Sequence, residues 1–383
     1  MARRFLISFL TAFGIAAVAA GVYFVCFSSA FATFYRSAAA DYTPPPWPLP
    51  LDTAAYNAKM LALAHYAAPP SPKATEGTAP QASSTLMATS TQNAPPAPFW
   101  TATTSVSLAG KLWPHAAAYP EGGAILPFSR IVAYYGNFYS KQMGVLGEYP
   151  ADEVLAMLAS TTAAWAAADP TTPTIPAIQY IAVVAQGAPG KSGLYRAQMP
   201  DDQIEKALAM ANDLHGLLIL DVQVGKSTLQ AELPELAKYL ALPNVELAID
   251  PEFSMKFGNA PGTVIGTFDA ADINYAASFL ANIVRENHLA PKVLVVHRFT
   301  YDMVTNCQNI KPLPEVEVVM DMDGWGDPAK KFGTYNRVVN PQPVQFTGIK
   351  LFYHADLKPP STRMLTPAEV LSLTPAPVYI QYQ

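Results

Sequence analysis

The chain has 383 residues, of which 14% are charged and 51% hydrophobic, and its net charge is −5. No basic run follows Arg3-Arg4 to supply the phosphate-neutralising patch that nucleic-acid binding requires, so no nucleic-acid partner is expected. The two cysteines, Cys26 and Cys307, rule out a disulfide-stapled fold, and Cys307, set among Thr305, Asn306, Gln308 and Asn309, reads as a bystander rather than a nucleophile.

Arg3-Arg4 opens an uncharged stretch that runs from Phe5 to Tyr35 before Arg36 interrupts it. That length exceeds a signal h-region and the roughly 20 residues needed to span a bilayer. Residues 1–40 are therefore expected to be an uncleaved signal anchor. A cleaved secretory signal is the second choice, since Ala30-Phe31-Ala32 fits a small-x-small site. The positive flank stays inside, so the body is expected at the cell membrane or secreted, facing the envelope. Residues 41–120 carry Pro44-Pro45-Pro46, Pro69-Pro70 and Pro95-Pro96 in a tract rich in Ala, Ser and Thr, which predicts a largely disordered linker. One helical patch is allowed within it, over 53–67.

From about 121 to 383 a different pattern takes over. Short β-branched or aromatic runs recur at 131–135, 178–185, 217–222, 245–250, 293–297, 316–321, 348–353 and 377–382. Helices are predicted between most of them, over 151–168, 201–215, 227–242, 271–287, 328–339 and 366–373, with a short one over 301–310. Pro150 and Pro200 stand at helix starts, and Thr366-Pro367-Ala368-Glu369 spells a capping box. Eight strands alternating with helices over some 260 residues predict an α/β fold, a (β/α)8 TIM barrel, whose catalytic groups sit at the C-terminal strand ends.

Those ends are polar. Asn137 follows the first run, and Tyr135 stands at its end. Asp221 and Gln223 end the third, Asp250 and Glu252 the fourth, His297 and Arg298 the fifth, Asp321 and Asp323 the sixth; Tyr353 and His354 end the seventh, and Gln381 lies next to the last residue of the eighth. Residues two apart share a strand face, so each acid pair points one way. The residues before the acid pairs are wholly apolar, as in strands buried on both faces. Gathering carboxylates is costly, and proteins accept it mainly where one acid must stay protonated or a cation sits between them. Glu252, Asp250, Asp321 and Asp221 are the catalytic candidates. Asn137, Tyr135, Gln223, His297, Arg298, Asp323, Trp325, Tyr353 and Gln381 are candidates to touch substrate.

Ala248-Ile249-Asp250-Pro251-Glu252 resembles the Asp-x-Glu strand ending of chitinase-type and Chalaropsis-type lysozyme barrels. Val319-Met320-Asp321-Met322-Asp323-Gly324 resembles the chitinase strand-six segment. The chitinase aspartates upstream of Asp250 are absent, leaving Glu246 as the nearest acid, and Met322 stands where those enzymes carry Tyr. Tyr134-Tyr135-Gly136-Asn137 and Gln142-Met143-Gly144 are similar to segments of uncharacterised exported bacterial barrel proteins. The resemblance implies a glycosidase in which Glu252 delivers the proton and Asp250 orients it or helps stabilise the intermediate. The second acid is expected from another strand, Asp321 or Asp221, and Trp325, Tyr135, Tyr195, Phe253 and Tyr353 offer faces for sugar rings.

The substrate is thus expected to be a carbohydrate or cell-envelope polymer, with no cofactor and no resident metal. The same acids with His297 would also serve a divalent-metal hydrolase, although the paired histidines of barrel metallohydrolases are missing. A barrel that only binds envelope glycans is the other alternative. Gly187-Ala188-Pro189-Gly190-Lys191-Ser192 matches a relaxed phosphate-loop pattern, but Gly193, Tyr195-Arg196 and Pro200 interrupt the helix it needs, so no nucleotide is expected.

Overall fold

The computed structural model describes residues 50–65, 106–108, 111–114 and 118–383. The anchor or signal segment and most of the linker lie outside these residues. Among the described residues no helix is long and apolar enough to cross a membrane.

Eight parallel strands among the described residues close into a barrel. They are β1 (Arg130–Gly136), β2 (Thr174–Ala185), β3 (Leu217–Val222), β4 (Val245–Ile249), β5 (Lys292–His297), β6 (Val316–Met322), β7 (Phe346–Leu351) and β8 (Tyr379–Tyr382). Each pairs with the next in sequence, and β8 pairs with β1 to close the ring. All eight predicted strands are present, with ends moved by a few residues. The expected TIM-like barrel is therefore observed.

Alternation along the strands separates two cores. Outward residues such as Val132, Ile178, Leu218, Leu220, Leu247, Leu294 and Val318 pack beneath the helices. Inward residues Ile131, Ala133, Ala177, Ile219, Ala248, Val295, Val319 and Phe346 fill the lower barrel. This is the physical meaning of the unbroken apolar runs: both faces of each strand are covered.

Besides a single turn at Val145–Glu148, the α-helices among the described residues are α1 (Thr53–Leu63), α2 (Ala151–Ala168), α3 (Asp201–Asp213), α4 (Leu229–Leu240), α5 (Ala270–Asn287), α6 (Pro328–Thr334) and α7 (Pro367–Leu371). In α5, Asp269 and Asp272 form a capping box, and Ile273, Ala276, Ala277, Leu280, Ala281 and Val284 make one buried stripe at helical spacing. The capping box predicted for α7 is present between Thr366 and Glu369. After α6 the chain widens into a π-turn, Tyr335–Val339, which buries Tyr335, Val338 and Val339.

Two expectations need correction. No α-helix forms over 301–310. Val304–Thr305 pairs instead with Phe268–Asp269, and Asn306 adopts a left-handed conformation (φ 53°) that leaves only a 3-10 turn at Cys307–Asn309. Thr305 and Asn306 donate to Asp269 Oδ2 at 2.8 and 2.6 Å, which satisfies this turn without a helix. The second concerns the segment read as linker, because α1 belongs to the barrel body. Tyr56 and Met60 are buried with Trp113 and Leu126 against the lower inward layer, closing the floor. Lys59 Nζ donates to Thr171 O at 2.9 Å, and Ala376 N donates to Leu63 O at 2.8 Å, tying α1 to the body.

Candidate active site

Above the apolar floor the inward side chains turn polar in two tiers. The lower tier comes from β2, β3, β5, β6 and β8 and is fully buried: Gln179, Asp221, His297, Asp321, Tyr379 and Gln381. Gln179 Nε2 donates to Asp221 Oδ2 at 2.6 Å, and the Tyr379 hydroxyl donates to Gln179 Oε1. Gln381 Nε2 donates to the Tyr379 hydroxyl at 3.0 Å. His297 stands in the middle. Its Nε2 lies 2.8 Å from Asp221 Oδ2, and its Nδ1 lies 3.3 Å from Asp321 Oδ2 and 3.5 Å from Asp323 Oδ2. Burial disfavours an imidazolium, but the surrounding carboxylates, Asp221 foremost, outweigh it and hold the His297 pKa well above its ordinary value.

Gly348 on β7 makes room for this tier. A Cβ there would lie 2.7 Å from Asp321 Oδ1 and 2.7 Å from the Tyr379 ring, closer than packing allows.

The upper tier lines a cavity of about 520 Å³ at the C-terminal strand ends. Tyr135, Gln223, Asp250, Glu252, Asp323 and Lys350 all face it. One oxygen from each of Asp250, Glu252 and Asp323 lies within 4.8 Å of the others, a spacing at which the three can also hold a metal ion. The local fold sets these positions. Pro251 opens a 3-10 turn, Pro251–Phe253, capped by Asp250, whose Oδ1 accepts from Glu252 N at 3.0 Å. Gln223 Nε2 donates to the Tyr135 hydroxyl at 3.2 Å and to Asp250 Oδ2 at 3.4 Å. From α6, Lys331 Nζ donates to Gly324 O at 2.8 Å and Lys350 O at 2.7 Å, joining the ends of β6 and β7.

Burial, reinforced by the charge of Asp323, pushes the Glu252 carboxyl up to about 7. Asp250 is raised well above the ordinary carboxylate range, again first by burial and then by Asp323, Asp221 and Glu252. Burial also raises Asp323, but His297 and Lys350 oppose that rise. All three carboxyls thus keep their protons to higher pH than ordinary carboxylates, with His297 opposing the rise in each and Lys350 in Glu252 and Asp323; a carboxyl still protonated near neutral pH is what general acid catalysis needs.

The predicted residues divide by depth. Asp250, Glu252, Asp323, Tyr135, Gln223 and Trp325 line the cavity. Asp221, Asp321, His297 and Gln381 are buried below it, so Asp221 and Asp321 do not face the space that Glu252 faces. Three others serve the scaffold. Asn137 is buried, donating to Ile181 O at 3.0 Å. The Arg298 guanidinium is turned onto Thr300 O, Tyr301 O and Gln342 Oε1. Tyr353 shares a hydrogen bond with the Tyr134 hydroxyl at 2.8 Å and stacks on Tyr382.

Of the proposed rim aromatics, Phe253 lines the cavity and Tyr195 does not. The Gly187–Ser192 segment returns as a strand, Arg196–Gln198, antiparallel to the end of β2, and α3 opens only at Asp201. Arg196 pairs with Glu232 at 2.8 Å.

Lys350 and Gln179 were not among the predicted site residues. Both had a signal: Lys350 continues the inward face of Phe346 and Gly348, and Gln179 is the lone strongly polar residue among Ile178, Tyr180 and Ile181.

No family model matches the chain, and no curated protein is similar to it in sequence. Among solved structures it is similar to GH26C from Muricauda sp. MAR_2010_75, over 70% of this chain and 76% of that one. At 9% identity and a TM-score of 0.29, that likeness carries no argument about activity.

Proposed function

We propose that the barrel hydrolyses a glycosidic bond by carboxylate acid/base catalysis, with Glu252 as proton donor and Asp323 as the second carboxylate. One observation carries this proposal: Asp250, Glu252 and Asp323 converge within 4.8 Å at a cavity, and Glu252 is pushed up to about 7. A protonated Glu252 delivers its proton to the glycosidic oxygen as the bond breaks. Asp323, its anion supported by His297 and Lys350, bonds to the anomeric carbon as the leaving group departs; a water that gives its proton to Glu252 then displaces Asp323, which frees the sugar and restores both carboxyls. Oxygens this close match the roughly 5–5.5 Å of a direct nucleophile better than the wider gap that seats a water between two carboxyls, so retention of configuration is expected. Asp250 orients Glu252 through the backbone N–H it accepts. Asp323 thus takes the role first expected of Asp321 or Asp221.

Export to the membrane or beyond belongs to the same proposal and rests on the apolar stretch from Phe5 to Tyr35.

A divalent cation held by the same three carboxylates is the second possibility, favoured by their convergence. Lys350 and the proton-retaining His297 weigh against it, because a cation seated there would meet two positive charges. The deciding experiment is a glycan-panel hydrolysis assay on the full chain, with and without EDTA. Turnover that survives EDTA and is lost in Glu252→Gln supports the glycosidase. Turnover lost to EDTA and restored by a divalent cation supports the metal site. Cleavage that persists in Glu252→Gln overturns the assignment of the acid.

A further inference from the structure

Three cationic side chains line the cavity, and none of them is neutralised by an ion pair. Lys350, Lys330 and Arg337 all face it, from β7, from α6 and from the π-turn that follows α6. Among the described residues no carboxylate lies within 4.0 Å of any of the three. Arg130, Arg196, Lys238, Lys256, Arg285, Lys331 and Arg363, by contrast, each pair with an acid. Two of the three rest on aromatic faces: Lys350 Nζ lies 3.7 Å from the Tyr135 ring centroid, and Lys330 Nζ lies 3.9 Å from that of Trp325. A ring face steadies an ammonium group without neutralising it.

Lys350 is only 5% exposed, and an ammonium that dry is costly unless an anion compensates it. The acids facing the same space are Asp250, Glu252 and Asp323. None of these carboxylates lies within ion-pair distance of Lys350, Lys330 or Arg337, so the positive charge on the β6–β7 side has no salt-bridge partner among the described residues.

We propose that the cavity selects an acidic saccharide, whose anionic group sits against Lys350 with Lys330 and Arg337 at the rim. The substrate class thus narrows from carbohydrate to sugars carrying a carboxylate or a sulfate ester. This rests on the glycosidase proposal for the ligand being a saccharide, and on the three cations for its charge. Trp325, 50% exposed beside Lys330, supplies an apolar face for a neighbouring ring.

The test is an equilibrium titration of the full chain carrying Glu252→Gln, so that nothing is turned over. The probes are an oligogalacturonate, a sulfated oligosaccharide and a neutral oligosaccharide of equal length. At least one acidic probe is expected to bind about tenfold or more tighter than the neutral one, with the advantage shrinking as salt is raised. Comparing the two acidic probes separates carboxylate from sulfate. Adding Lys350→Met should erase most of the advantage. Should that variant fail to fold, Lys330→Ala with Arg337→Ala at the exposed rim should reduce it several-fold. Lys311→Ala, in the loop leading into β6, should leave it intact.

Equal affinity for neutral and acidic probes, no binding of any probe, or an advantage untouched by the cation variants overturns the proposal. Cleavage by the unmodified chain is scored separately. Neutral glycans cleaved in a Glu252-dependent manner without an acidic preference sink this inference and leave the glycosidase standing. Tight charge-dependent binding of acidic probes that are never cleaved does the reverse.

Discussion

The Nδ1 atom of His297 lies 3.5 Å from Oδ2 of Asp323, so a fully buried imidazole and a cavity carboxylate form one electrostatic unit. The other ring nitrogen holds Asp221 at 2.8 Å, and the charge state of the upper tier is thus fixed partly from below. His297→Gln should remove the only imidazole among the described residues that touches these acids, leaving Asp221 and Asp321 buried without a cation. Breaking a buried ion pair from one side costs about 3–5 kcal/mol, so a loss of that order is expected in urea unfolding. Asp323 should then hold its proton more tightly, and the acidic limb of the activity profile should move to higher pH. An unchanged acidic limb would separate His297 from Asp323.

The proposed hydrolysis should depend on pH through Glu252 and Asp323. In that mechanism Glu252 must be protonated, so activity should fall as pH rises through about 7. Asp323 must be ionised, and burial raises its pKa, so activity should also fall on the acid side at a pH above the usual aspartate range. A bell-shaped kcat/KM profile is expected. Glu252→Gln should lower the rate by about 10²–10⁴-fold and remove the alkaline limb.

Folding stability should show a related slope. The folded pKa of Glu252 is raised from 4.5 to about 7, so its contribution is full below 4.5 and lost as pH rises through about 7. Asp250, Asp323 and His297 are raised as well and act with the same sign. Denaturant midpoints should therefore fall between pH 5 and 7.5, and Glu252→Gln should flatten part of that fall. Midpoints that rise over this range would contradict the protonation states assigned to the site.

At the other end of the barrel, Tyr56 is 1% exposed and packs edge-on against Tyr119, with ring centroids 5.8 Å apart. Tyr56→Ala should cost on the order of 3 kcal/mol, as large-to-small core substitutions do. A chain starting at residue 121 should unfold at a lower temperature than one starting at 48, because it lacks α1. Equal melting temperatures would mean that α1 adds nothing to the fold.

Much of the barrel is legible from sequence, because burial of both strand faces demands unbroken apolar runs such as Leu217–Leu220, followed by polar ends. Depth is not legible in the same way. Alternation assigns Asp221 and Asp250 to the inward face, but the pairing of Asp221 with Ala248 puts Asp250 two residues, about 7 Å, further up. Asp321 pairs level with His297, so Asp323 is the acid that reaches the cavity. These offsets come from contacts between strands far apart in sequence, which no local pattern encodes. The helix expected over 301–310 failed for a related reason, since Thr305 and Asn306 are held by Asp269 some 36 residues earlier. In α1, apolar residues at helical spacing were visible, but the floor they cover lies on strands that follow much later.

The closed floor has a consequence for traffic. Tyr56, Met60, Trp113 and Leu126 pack against the lower core of the barrel, so no passage runs down the barrel axis from the cavity. A long polymer cannot be threaded through it. It must present an end or a side branch to the cavity, or lie across the strand ends, and nothing released there can leave through the floor.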